Sequence, residues 1–147
     1  MRILLFCAAL MTFLAAQTSF ANIQTEVPKA VLTTFQNIYP DATDVSWDAY
    51  ENEYIASFEN DGMFSEATFS AKGKWLETTT SLNESQLPES IQNYINENYA
   101  EEIEYYDSMI LIEKPDFVRY YVTLTTESNT VNLTFDSDGN LLEEENE

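Results

Sequence analysis

From Val27 onward the spacing of apolar residues switches between two periods. Val31, Phe35 and Ile38, and later Ile91, Ile95 and Tyr99, recur at intervals of three and four, which predicts two helices with one apolar stripe each. Pro28 and Pro88 suit the first helical position, where a missing N–H breaks no bond. Pro40 closes the first helix, because the residue before a proline is pushed out of the helical region. After each helix the period drops to two. Tyr54, Ala56 and Phe58 alternate with Ile55, Ser57 and Glu59, Asn60-Asp61-Gly62 supplies a hairpin turn, and Ala67 and Phe69 alternate with Glu66 and Thr68. Trp75 follows a second turn at Lys72-Gly73-Lys74. In the later half Tyr120, Val122 and Leu124, then Val131, Leu133 and Phe135, form the matching inward sets, and Asp138-Gly139-Asn140 forms the matching turn.

These segments read as one unit written twice. Val27-Pro28 aligns with Leu87-Pro88 at an offset of 60, carrying Phe35 onto Ile95. Past the helices the offset is 66, with Tyr54 on Tyr120, Phe69 on Phe135 and Gly73 on Gly139. The six extra residues fall around Met109 to Asp116, where a first strand or its turn can lengthen. The expected fold is therefore α+β: a tandem repeat of one helix on a three- to four-stranded antiparallel meander, residues 22–82 and then 83–147 with an acidic tail. Each helix must cover the apolar face of its own strands, since neither can leave that face in water.

Residues 1–21 change the setting. Arg2, an apolar run from Ile3 to Ala16, and Ser19-Phe20-Ala21 spell a cleavable secretory signal cut after Ala21. The run is shorter than the roughly 20 residues of a membrane span, so the chain is expected to be exported to the periplasm or beyond, without membrane insertion. The one Cys, Cys7, leaves with the signal, so the mature chain holds together by burial and not by disulfides.

Charge narrows the functions. The chain has 26 acidic residues against 6 Lys or Arg and no His, a net charge of −20. Nucleic acid is excluded as a partner, because phosphate affinity comes from Lys and Arg. Without imidazole or a mature thiol there is no Ser-His-Asp or Cys-His catalyst, no Cys/His zinc site, and no implied cofactor. Asp136-Ser137-Asp138-Gly139-Asn140 has oxygens at alternate positions, but its Gly is fourth, not sixth as in an EF-hand loop, and the matched Ser70-Ala71-Lys72-Gly73-Lys74 has no carboxylate; both read as glycine turns, not metal sites. The Glu pairs lie in polar stretches, so the chain reads as a non-enzyme.

The pattern Val27-Pro28, Ala30-Val31, Phe35, Tyr39-Pro40-Asp41-Ala42, Val45, Trp47, Tyr54, Phe58, Phe69 and Lys72-Gly73-Lys74-Trp75 resembles the PepSY-like family of exported bacterial proteins, also called β-lactamase-inhibitor-like. The second half fits more weakly: Ala100 replaces the proline and Leu141 replaces Trp75. The resemblance implies tandem helix-plus-sheet repeats with the two sheets side by side in one curved surface, which in the inhibitor that names the fold grips an enzyme. Fold alone does not carry that activity across.

The alternation puts Ile55, Phe64, Leu76, Tyr121 and Leu142 on the sheet face away from the helices, among Ser and Thr. A mixed aromatic, aliphatic and hydroxyl face suits protein binding, although an antiparallel sheet also leaves one side in water by default. Tyr50, Tyr105 and Tyr106, near loops, are secondary candidates with packing as the plainer role. Two functions remain open. One is a binding module, inhibitor or modulator, for another exported protein with a basic surface that the acidic field would steer. The other is a periplasmic small-ligand or cation-responsive protein using the acidic turns or a groove between the halves.

Overall fold

The computed structural model describes residues 26–147; the signal segment and its cleavage point lie outside the described residues. Helix α1 (Lys29–Ile38) is followed by strands β1 (Thr43–Tyr50), β2 (Glu53–Asn60), β3 (Met63–Ser70) and β4 (Trp75–Ser81). A short 3-10 turn, Glu84–Gln86, leads into α2 (Glu89–Tyr99), then β5 (Ile103–Lys114), β6 (Phe117–Thr126), β7 (Thr130–Phe135) and β8 (Leu141–Asn146). All eight strands form one antiparallel sheet in chain order. The two sets of strands are thus continuous, because β4 pairs with β5 from Thr78 opposite Glu113 to Ser81 opposite Ile110.

Pro28 and Pro88 each stand one residue before their helix, as N-caps and not first helical residues. Asp61 and Gly62 both take positive φ (51° and 74°), as a two-residue hairpin loop between right-twisted strands requires.

Register shows that both helices share one face. Phe58 pairs with Ser65, Ser65 with Thr80, Thr80 with Leu111, Leu111 with Tyr120, and Tyr120 with Phe135, so one row of inward side chains runs from β2 to β7. Over one end of that face, Val31 and Phe35 of α1 pack on Ala56, Phe58, Ala67 and Phe69. Over the other, Ile91 and Ile95 of α2 pack on Val122, Leu124, Val131, Leu133 and Phe135. Phe35 meets Phe58 edge-on at 5.0 Å and Trp47 at 5.2 Å, the tilted geometry that aromatic quadrupoles favour. Ile38 departs from the expected stripe and is exposed; Tyr39 packs against the cluster in its place, since the helix has ended by then.

Polar groups on the inner face are paired. Trp75 Nε1 donates to Thr78 Oγ1 at 2.8 Å, and the same hydroxyl is hydrogen-bonded to the Tyr39 phenol. Ser65 and Thr80 are hydrogen-bonded at 3.0 Å.

Glycine sets how closely each helix approaches. Gly73 has φ +81°, and a Cβ there would lie 2.7 Å from the Ala30 carbonyl oxygen of α1. Gly139 has φ +82°, and a Cβ there would lie 1.9 Å from Ser90 Oγ of α2. The contacts are tied by hydrogen bonds, Thr34 Oγ1 to the Gly73 carbonyl at 2.8 Å and Ser90 Oγ to the Asp138 carbonyl at 3.2 Å.

Candidate protein-docking face

With α1 and α2 on the inner face, the outer face carries no packed element among the described residues. Its rows also follow from register. One runs Ser57, Glu66, Thr79, Ile112, Arg119; the next runs Ser81, Ile110, Tyr121, Thr134, Glu143. Lys114 and Phe117 close the hairpin end of the same face.

The middle of the face differs from its flanks. On β5 and β6, Ile110, Ile112, Phe117 and Tyr121 form an apolar and aromatic strip joined by two cations. Phe117 is 39% exposed and Tyr121 37%. The Lys114 ammonium lies 5.6 Å from the Phe117 ring centroid and the Arg119 guanidinium 5.0 Å, both within cation–π range. Lys114 Nζ also pairs with Glu77 Oε2 at 2.8 Å, and that carboxylate holds the lysine above its ordinary ionisation range. Aromatic residues and Arg are the types enriched in protein contacts. Toward the edges the same face turns acidic, with Asp48, Glu53, Glu59 and Glu66 on one side and Glu143 and Glu145 on the other.

The five residues expected on this face are placed as follows. Ile55 is outward and half-buried, in the row Asp48, Ile55, Thr68, Glu77 that reaches Lys114 through the ion pair. Tyr121 sits in the central strip. Phe64 is outward and 52% exposed, but on β3 where the β2–β3 hairpin turns, three strands from Tyr121. Leu76 and Leu142 stand at irregular positions. Each is the unmatched residue of a β-bulge, between Trp75 and Glu77 and between Leu141 and Glu143, so strict alternation does not assign them a face. Leu76 lines a shallow depression of about 280 Å³ with Lys74, Lys114 and Phe117 at the hairpin tip. Leu142 is exposed on the edge strand. Of the secondary candidates, Tyr50 and Tyr105 are exposed, and Tyr106 packs in the α2 core, where burial pushes its phenol pKa up.

Ile110, Ile112, Lys114, Phe117 and Arg119 were not anticipated as site residues. Their signal was the six-residue excess of the second half. β5 and β6 have 12 and 10 residues where β1 and β2 have 8 each, so the excess lengthens this hairpin. Alternation along Met109–Lys114 then puts Ile110, Ile112 and Lys114 on one side.

The acidic turn is occupied by its own backbone. Asp136 Oδ1 accepts the N–H groups of Asp138 and Asn140, each at 2.9 Å, and Asn140 Nδ2 reaches Oδ2 at 3.0 Å. These bonds, Asn140's first, hold the carboxyl below its usual pKa. Among the described residues no three His, Cys, Asp or Glu converge as a metal site, and no helix is long and apolar enough to cross a membrane.

Residues 52–143 match the model of the family described as "Putative beta-lactamase-inhibitor-like, PepSY-like". The chain belongs to the PepSY-like family. A BLIP-like protein from Bacteroides fragilis is similar to this PepSY-like chain at 27% identity and TM-score 0.70, over 83% of this chain and 87% of that one. A DUF2874 family protein from Bacteroides ovatus shares the fold at 24% identity and TM-score 0.67, over 83% and 89%. So does a protein from Bacteroides eggerthii described among "putative periplasmic proteins", at 16% identity and TM-score 0.64, over 83% and 90%. A comparison with curated proteins returns no match. The matched span starts at the β1–β2 turn and ends in β8, so the whole central strip lies inside the PepSY-like region.

Proposed function

We propose that this PepSY-like protein is an exported, non-enzymatic binding module that presents the outer face of its sheet to another exported protein. The observation that carries this reading is the arrangement of layers: both helices lie against one face, and the other collects aromatic, aliphatic and guanidinium groups at its centre with acidic groups around them. Exposed apolar groups clustered inside a polar rim are how docking surfaces differ from ordinary solvated sheet. A partner with a basic rim would be drawn by the surrounding carboxylates.

The reading includes two further elements. Residues 1–21 direct export. The chain is two copies of one helix-plus-meander unit, a view supported by Gly73 against Ala30 and Gly139 against Ser90, which pair at the offsets 66 and 60 found in the sequence. An inhibitory role is suggested by the family description only, and belongs to this proposal as its most specific form.

The test is affinity capture from the native cell envelope with the wild-type chain, Tyr121→Ala, Phe117→Ala, and a control, Gln36→Ala, on the exposed side of α1. Loss of the same captured protein with both strip variants but not with the control is expected. Capture unchanged by Tyr121→Ala and Phe117→Ala would remove the outer face from the function.

A further inference from the structure

Like Lys29, Lys72 and Lys74, Arg119 makes no ion pair among the described residues, but of these four it alone is half-buried, on the outer face of the sheet. The described residues contain all 26 acidic side chains of the protein, yet their one ion pair is Lys114–Glu77, and Arg119 has no carboxylate oxygen within 4.0 Å. Asp136 is near enough to feel its charge but spends its oxygens on Asp138 and Asn140. Arg119 is half-buried near the β5–β6 hairpin end of the outer face, its guanidinium carbon 5.0 Å from the Phe117 ring centroid, with Nη1 donating to the Val118 carbonyl at 2.8 Å. The cation–π contact and the Val118 hydrogen bond hold the guanidinium in place, and its other N–H groups make no hydrogen bond within the described residues. That is how Arg is pre-organised for a two-pronged acceptor, at little further loss of side-chain freedom.

We infer that the outer face receives a carboxylate from its partner: an Asp or Glu side chain flanked by apolar residues docks on Arg119, with its neighbours on Phe117, Tyr121 and Ile112. This assignment rests on the docking-face reading and names the partner's chemistry at the contact. Charge complementarity selects the occupant. The strip carries Arg119 among apolar groups while the face turns acidic toward both edges of the sheet, so the matching surface has an acidic and apolar centre with basic groups toward those edges. A second copy of the chain is disfavoured as the occupant, because two molecules of charge −20 repel before their strips can meet.

The probe is a capped Leu-Glu-Leu peptide titrated into the isotope-labelled protein, with capped Leu-Gln-Leu and sodium acetate as comparisons, read by NMR at the Arg119 Nε–H and the β5–β6 amides. The expected result is saturable shifts confined to that hairpin for the Glu peptide. The dissociation constant should be weakened about tenfold or more by Arg119→Gln, less by Arg119→Lys, and not by Lys72→Gln on the neighbouring turn. No saturation, equal shifts with the Gln peptide or acetate, or shifts spread over Lys72 and Lys74 would overturn the assignment. So would a dimer in sedimentation that dissociates on Arg119→Gln, which would give the strip to a second copy. If the peptide fails while envelope capture still depends on Tyr121 and Phe117, only the carboxylate assignment falls. If capture ignores both residues, the docking-face reading falls with it.

Discussion

Replacing Gly73 by Ala tests how the first helix is seated, and Gly62→Ala is its internal control. Both glycines have positive φ, +81° and +74°. An alanine at either site meets the left-handed backbone penalty, about 1–2 kcal/mol, and stiffens the unfolded chain by about 0.4–1 kcal/mol in the opposite direction. Those contributions cancel when the variants are compared. What differs is space. Nothing lies within 4 Å of a Cβ at Gly62, whereas one at Gly73 would lie 2.7 Å from the Ala30 carbonyl oxygen and 2.8 Å from its carbon. Backbone cannot rotate out of the way, so α1 must shift bodily on Phe58 and Phe69. Overpacking of this kind costs about 1–3 kcal/mol, and the Thr34 hydrogen bond to the Gly73 carbonyl contributes about 1 kcal/mol more if lost.

Gly73→Ala should therefore be less stable than Gly62→Ala by about 2–4 kcal/mol, which for a chain of this size is a gap in Tm on the order of 10 °C. Urea unfolding followed by circular dichroism, with equal slopes in both variants, measures it directly. A gap below about 1 kcal/mol would refute the argument, since α1 would then not be seated on Gly73. The second helix supplies a cross-check. In Gly139→Ala the nearest obstacle is the Ser90 hydroxyl at 1.9 Å, with Ser90 Cβ behind it at 2.9 Å. Ser90→Ala should recover part of the loss in Gly139→Ala and none of it in Gly73→Ala.

Phe58→Ala should destabilise by about 3–5 kcal/mol, because Phe58 is fully buried beneath Phe35 and Tyr39 and its cavity is walled by the sheet; a urea-derived loss below about 2 kcal/mol would mean that the helix collapses onto the gap. Thr78→Val should cost about 2–3 kcal/mol and Thr78→Ser much less, since only valine leaves Trp75 Nε1 and the Tyr39 hydroxyl without their shared partner; equal losses would assign the effect to packing. Tyr39, Tyr94, Tyr99, Tyr106 and Tyr120 all have phenol pKa values raised above the ordinary 10.0, with burial the first cause in each. The folded chain keeps these protons longer than the unfolded one, so their contribution is complete below 10.0 and lost as pH climbs through the raised values. The urea midpoint should fall above that pH, together with a delayed rise in tyrosinate absorbance, and a flat midpoint would contradict it.

The elements most legible in the sequence were those where local chemistry and burial agree. Asn60-Asp61-Gly62 demands a particular hairpin loop, and Phe58, Phe69, Leu124 and Phe135 sit at period-two positions with no competing signal; all four are buried. Ile38 misled because a helical stripe is read by period, whereas Ile38 is the last residue of α1 and exposed, and the core contact at this end is made by Tyr39, just past the helix. Alternation alone does not fix the face of Leu76 or Leu142, because a β-bulge inserts one residue with no periodic trace, and everything beyond it changes phase. The central strip was hidden differently. Ile110 pairs with Tyr121 and Ile112 with Arg119 across the β5–β6 hairpin, but Ile112 meets Thr79, and Ile110 meets Ser81, only through the β4–β5 pairing, a contact between halves that no local pattern announces.

The same distinction governs the charge. A net −20 describes the field at long range, where it repels anions and draws cations toward the molecule. At contact it is a poor guide, because salt screens exposed charges beyond about 8 Å at physiological ionic strength. Within that distance the placement of a few groups decides. Lys72 and Lys74 lie on the β3–β4 turn, Lys114 and Arg119 flank the β5–β6 turn, and Lys29 begins α1 beside Ala30, which abuts Gly73. Antiparallel order puts both turns at one end of the sheet, so all five cations of the described residues gather there. A partner steered in by the acids would thus meet a cationic, aromatic patch at that end on arrival. Approach and docking select for opposite charges on different parts of one surface, which is a stricter condition than either alone.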